Sequence, residues 1–200
     1  MLAVFSARLL VCPDQMSGRE LAQALYGLKS MNSNNKEVLE LLWVLSKKIS
    51  ECKDELNGQA ISYSLAGLQH MNSDQEEVRD VLSALSIKIK DSSVVMTGKE
   101  IGVALEGLQG MSSAEEGKAV PQVQQVLSGM ARKMLASPHV MSKKDVRRAL
   151  TGVCVCIYIY VCVCMCVFMC VCMCVCMCLC MYAYLYVCLY MCVYVCLYLC

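Results

Sequence analysis

Met16–Met31 (MSGRELAQALYGLKSM) decides the fold, because the chain repeats it. The stretch realigns without gaps with Leu56–Met71 (LNGQAISYSLAGLQHM) and with Met96–Met111 (MTGKEIGVALEGLQGM), so that starts at 16, 56 and 96 fall 40 residues apart. A fourth start, Met141, comes 45 residues after the third, displaced by an insertion across Glu116–Gln122 that carries Gly117 and Pro121. The second half of each unit repeats as well: Glu37–Ile49 matches Glu77–Ile89 and Gln122–Met134. Self-similarity at a period of this size is the mark of stacked supersecondary units, each too small to bury its own apolar face.

Each unit reads as a helical hairpin. In the first helix the apolar positions are Leu21, Ala24, Leu25, Leu28 and Met31, one stripe at the 3.6-residue period. The copies are Ile61, Leu65, Leu68, Met71 and Ile101, Ala104, Leu105, Leu108, Met111. The second helix carries Val38, Leu41, Leu42, Leu45, Ile49; then Val78, Val81, Leu82, Leu85, Ile89; then Val123, Val126, Leu127, Met130, Met134. Capping boxes mark the starts: Ser17 with Glu20 and Thr97 with Glu100 ahead of first helices, Ser73 with Glu76 and Ser113 with Glu116 ahead of second helices. Asn57 and Ser142 fill the N-cap slot in the other units. Gly27, Gly67, Gly107 and Gly152 recur inside the first helix, where glycine costs about 1 kcal/mol against alanine, and close helix–helix approach is the expected reason. Acids at Glu37, Glu76, Glu77, Glu115 and Glu116 open the second helices, and bases at Lys47, Lys48, Lys88, Lys90, Arg132 and Lys133 close them, complementing the helix dipole without need of a ligand.

The predicted organisation follows. Residues 1–15 are the second helix of a truncated leading repeat, because Leu2–Cys12 matches Leu42–Cys52 in register. Repeats occupy 16–55, 56–95 and 96–140, and 141–152 is the first helix of a truncated fourth, which marks the chain as a fragment of a longer array. The expected fold is all-α: a right-handed-type α-solenoid of stacked helical hairpins, followed by a low-complexity apolar tail over 153–200.

That tail has a different origin. From Val153 to Cys200, odd positions hold Val, Ile, Met, Leu or Ala and even positions hold Cys or Tyr, with Phe168 the one substitute. Apart from Cys12 and Cys52 it contains all of the 17 cysteines, and no charged residue. As one strand it would extend roughly 160 Å, against about 3–10 residues for ordinary strands, with no residue able to turn it. Translation of a TG/TA dinucleotide microsatellite accounts for the alternation, the residue choice and the missing residue types together. Three protein-level readings compete with it. A membrane anchor has the required apolar length and a basic flank at Lys143, Lys144, Arg147 and Arg148. A thiolate metal cluster is suggested by repeated Cys-x-Cys, though its spacers are bulky and apolar. A secreted disulfide framework lacks turns and a polar surface.

A formal net charge of +1 excludes a strongly basic nucleic-acid binder and an acidic-tail protein. Catalytic, cofactor and metal constellations are absent from the sequence: His70 and His139 have no carboxylate or thiol at useful spacing, and no phosphate loop or zinc-helix motif occurs. Cys12 and Cys52 share one repeat position and read as small core residues; Trp43, aligned with Ala3, Ser83 and Ser128, reads as packing against a neighbouring helix. The side chains opposite the first-helix stripe are then the natural contact set. They are Arg19, Gln23, Tyr26 and Ser30 in the first unit; Gln59, Tyr63 and His70 in the second; Lys99 and Glu106 in the third; and Lys144 and Arg148 in the fourth.

Ala24–Met31 (ALYGLKSM), with its leucine–aromatic–leucine–methionine core, resembles the first helix of the tetratricopeptide, pentatricopeptide and especially octotricopeptide or heptatricopeptide repeats, over about residues 1–152. The resemblance implies a non-enzymatic scaffold that binds a protein partner along its first-helix face. It implies as an alternative a single-stranded RNA-binding repeat protein of a mitochondrion or plastid, because related modular readers take one base per repeat. A membrane-anchored repeat protein is the third reading, if the tail is genuinely expressed.

Overall fold

The computed structural model describes residues 2–111, 114–115 and 118–152. These are helical apart from turns and one two-rung antiparallel ladder. The helices are α1 (Leu2–Val11), α2 (Gly18–Gly27), α3 (Lys36–Glu51), α4 (Gly58–Gly67), α5 (Glu76–Asp91), α6 (Gly98–Glu106), α7 (Pro121–Ala136) and α8 (residues 143–152). The tail over 153–200, with every reading placed on it, lies outside the described residues.

Local chemistry sets the starts of the first helices. Ser17 and Thr97 each make both arms of a capping box, the hydroxyl accepting from the N3 backbone N–H while the N3 glutamate accepts from the cap backbone. At Asn57 the side-chain oxygen accepts from the Ala60 N–H at 2.8 Å, and Ser142 Oγ accepts from the Asp145 N–H at 3.3 Å. The Ser17 bonds hold the Glu20 carboxyl below the usual carboxylate range.

The second helices depart from expectation in two units. Ser73 does not cap α5. That helix begins at Glu76 after Gln75, which makes no side-chain cap bond, and the Ser73 carbonyl instead accepts from Arg79 at 3.1 Å. In the third unit, the insertion pairs β1 (Ala114–Glu115) with β2 (Lys118–Ala119) in antiparallel register, and α7 starts only at Pro121. Proline suits that first helical position because its missing N–H would have no intrahelical partner. Consequently α7 has no acid in its first turn: Glu115 sits in the ladder, and Ser113 and Glu116 lie outside the described residues.

Helices pack in two rows. α2 lies against α4 and α4 against α6, while α1 lies against α3, α3 against α5 and α5 against α7. The stripes of both rows merge into one apolar cluster that includes Leu25, Leu42, Leu65, Leu82, Leu105 and Val123. Burial of a side chain of this size stabilises by about 1.5–3 kcal/mol, and no hairpin here buries its stripe alone.

Three contacts recur from unit to unit. In the first row, a Cβ added at Gly67 would overlap the Leu25 carbonyl; Gly107 stands likewise against Leu65, and Gly152 against Leu105. These glycines stand at the C-terminal ends of the first helices rather than in their middles, and the reason for glycine is backbone approach. In the second row, Lys48 Nζ donates to the Cys12 carbonyl at 2.9 Å, Lys88 Nζ to that of Cys52, and Lys133 Nζ to that of Ser92. Each ammonium thus satisfies a carbonyl left open where the preceding second helix ends. Burial pushes the Lys133 ammonium below the usual lysine range, opposed by the charge of Glu55. The third contact joins linkers to caps: Ser92 Oγ donates to the Leu56 carbonyl at 3.1 Å, and Ser137 Oγ to that of Met96 at 2.7 Å.

Candidate functional site

The stripe opposite the apolar seam divides into two classes. Arg19, Gln23, Ser30, Gln59, His70, Lys99 and Lys144 are exposed. The others are brought together in pairs across neighbouring units. Tyr26 stacks on Tyr63 with ring centroids 4.7 Å apart and planes 29° from parallel. Two units on, the Arg148 guanidinium lies 3.3 Å from the Glu106 carboxylate. Position 26 of one unit therefore meets position 23 of the next, and the same register carries an aromatic stack at one junction and an ion pair at another. Between them, Ala66 and Val103 occupy the same two positions. An exposed pair of this kind contributes at most about 1 kcal/mol, so its main effect is to match neighbouring units.

The basic residues of the second row are spoken for in a similar way. Lys48, Lys88 and Lys133 clamp carbonyls, and Lys47 stands 3.5 Å above the centre of the Trp43 ring. Trp43 is exposed rather than packed, and it borders a shallow groove with Ala3, Ala7 and Leu10 of α1. Four of the six bases that close the second helices are thus committed to carbonyls or to an indole.

The first row ends in a cleft of about 690 Å³. One repeat position lines it three times, as Ser30, His70 and Gly110. Its frame is also periodic: Met31, Met71 and Met111, with Asn32 and Asn72, while Gln69 and Asp74 complete the wall. The turns are built by asparagine. Asn32 Oδ1 accepts from the Asn34 N–H at 3.1 Å, and Asn72 Oδ1 from the Asp74 N–H at 3.1 Å. Asn72 is held further by its own N–H, which donates to Ser33 Oγ at 2.9 Å across the unit boundary. Gly110 is required here because a Cβ would overlap the Gln69 carbonyl.

The electrostatics of the cleft follow from where it sits. α2, α4 and α6 all end beside it, and helix C-termini carry about half a negative charge each. Asp74 adds a full charge, and among the described residues neither lysine nor arginine lines the wall. The described part of the wall is therefore electronegative. Composition and period did not reveal this cleft. The available signal was the run Met-Asn-Ser after the first helices of the first two units, at Met31–Ser33 and Met71–Ser73.

Among the described residues, no group of histidine, cysteine, aspartate and glutamate could hold a metal ion, and Cys12 and Cys52 are free thiols. None of the described helices is long and apolar enough to cross a membrane. No protein-family model, no curated protein and no solved structure matches the chain.

Proposed function

We propose that the protein is a non-enzymatic scaffold, a right-handed-type α-solenoid, that binds a protein partner along its first-helix row, with the cleft at Ser30, His70 and Gly110 as the principal contact. One observation supports this reading: the cleft lies near the C-terminal ends of three helices beside Asp74, with no basic residue among the described residues of its wall. A partner suited to it is a polypeptide segment offering a lysine or arginine side chain and backbone N–H groups. Met31, the one partly exposed methionine of the frame, accommodates an apolar neighbour of that cation, while Met71 and Met111 are buried beneath it. The unit-specific residues at position 30 would then set which segment fits.

Single-stranded RNA is the second reading, favoured by the exposed Tyr26 ring with Lys29 Nζ 5.6 Å from its centre. Fluorescence anisotropy on the full chain separates the two, using a labelled lysine- and arginine-containing peptide and a labelled mixed-sequence RNA oligonucleotide at low and moderate salt. The scaffold reading expects micromolar peptide binding that Asp74→Lys abolishes. RNA binding that collapses with salt and is indifferent to Asp74→Lys would replace it.

A further inference from the structure

The second row holds a pocket of opposite character to the cleft. It measures about 210 Å³ and lies where α5 passes into the 92–95 linker beside the last turns of α7. Three cationic side chains line it, Lys90 from α5 and Arg132 and Lys133 from α7, and among the described residues its wall has no acid. Lys133 is buried, and its ammonium gives two of its three N–H donors to the Ser92 and Val94 carbonyls, the second at 3.1 Å. Neither Lys90 nor Arg132 has a hydrogen-bond or ion-pair partner among the described residues. The nearby acids stand outside the wall: Asp91 is exposed, and Glu55 is held by the Ser93 N–H and by the Ser93 hydroxyl at 2.9 Å. Glu55 and the C-terminal ends of α5 and α7 offset part of the cationic charge and leave the wall positive.

The repeat register separates this pocket from the ordinary lysine clamp. At the α3–α5 junction the places of Lys90 and Arg132 are held by Ser50 and Ile87, and those of Val94 and Val95 by Asp54 and Glu55. At the α1–α3 junction Leu10 and Lys47 stand there, with Asp14 in the linker, and Lys47 lies over the Trp43 ring. The clamp is common to all three junctions, whereas the two further cations facing one pocket, without a linker acid, belong to the α5–α7 junction. Gly129, where the register holds Val44 and Ala84, keeps side-chain volume out of the pocket. We propose that this pocket binds a phosphate monoester. Such a group offers three strongly accepting oxygens, one for each cationic side chain, whereas a carboxylate has two. Val95, 51% exposed, and Ala136 give the organic part of the ester an apolar seat. The site is independent of what the cleft binds.

Isothermal titration calorimetry on the full chain, under reducing conditions and at low salt, tests this with phenyl phosphate, inorganic phosphate and benzoate as probes. Phenyl phosphate should bind more tightly than either of the others, because inorganic phosphate lacks the apolar group and benzoate the third oxygen. Arg132→Gln and Lys90→Gln should each weaken its binding by roughly fivefold or more. Both side chains are exposed, so circular dichroism melts of these variants should match the parent. Absence of binding at millimolar phenyl phosphate overturns the proposal, as does binding that Arg132→Gln and Lys90→Gln leave unchanged. Benzoate or inorganic phosphate binding as tightly as phenyl phosphate overturns the assignment to a monoester.

Discussion

Gly67 and Gly27 occupy the same place in their repeats, and their surroundings are opposite. The first is pressed against the Leu25 carbonyl; none of the described residues comes within 4 Å of a Cβ placed on the second. The same contrast separates Leu45, 0% exposed, from Phe5, 53% exposed, one register apart by a full unit. Sequence pattern therefore fixes which way a side chain points, but a neighbouring helix decides whether it is buried. In a stacked array the energy lies largely between units, as nearest-neighbour terms, and the outermost helices display what the inner ones conceal.

The sharpest way to break this contrast is at the glycines. Gly67→Val forces a side chain into the α2 backbone, which has no flexible end to move aside, and should destabilise by about 3 kcal/mol or more. Gly27→Val should fall within about 0.5 kcal/mol of the parent. Urea denaturation followed by circular dichroism at 222 nm reads both. Equal effects would mean that glycine is kept at this position for a reason other than backbone approach. Next in size, Leu65→Ala should cost about 2–5 kcal/mol and Phe5→Ala about 1 kcal/mol, by the same measurement. A costly Phe5→Ala in monomeric protein would show that α1 is covered by something other than α3.

Much of the helical content was legible, and for physical reasons. The 3.6-residue stripe places Leu21, Leu25, Ile61, Leu65, Ile101 and Leu105 in one buried cluster, and the caps at Ser17, Asn57 and Thr97 act where the residue types say they should. These are local signals with local causes. What failed was Ser73, whose cap pattern competes with an Asn72–Asp74 turn that holds the backbone short of the helix. The candidate contact stripe was legible as a face but not as a set of partners. Tyr26 meets Tyr63, and Glu106 meets Arg148, because neighbouring first helices are offset by three residues, and repeat alignment does not carry that offset. The lysine clamps were hidden for a related reason. Lys88 does complement a helix C-terminus, but it is the preceding helix's carbonyl that it reaches.

The clamps give the third test. Lys88→Met keeps the aliphatic stem and removes the donor, leaving the Cys52 carbonyl without its ammonium; a loss of about 1–2 kcal/mol is expected. Arg8→Met should change little, since among the described residues no acceptor stands before it. If the two variants melt alike, the bond at Cys52 contributes nothing beyond dipole compensation.

The smallest effect expected is electrostatic, and it separates contacts within a unit from contacts between units. Glu20 is held below the usual carboxylate range by the Ser17 backbone N–H and hydroxyl of its own cap, whereas Glu55 is held there by the Ser93 backbone N–H and hydroxyl of the next linker. Unfolding returns both toward 4.5. A folded-state pKa below the unfolded one means that the folded chain binds fewer protons between the two values. The stabilisation is therefore complete above about pH 4.5 and disappears as acid titrates through the lower, folded value. Both groups are fully exposed, so the change in melting temperature between neutral pH and pH 3 should be slight, and slighter in Glu20→Gln and Glu55→Gln. Hydrogen exchange distinguishes the sites: Glu55→Gln should speed exchange at the Ser93 amide, which joins two units, while Glu20→Gln should affect only the first turn of α2. Faster exchange across α4 and α5 in Glu20→Gln would mean that a cap in one unit stabilises the next, and that the units are less separable than their contacts imply.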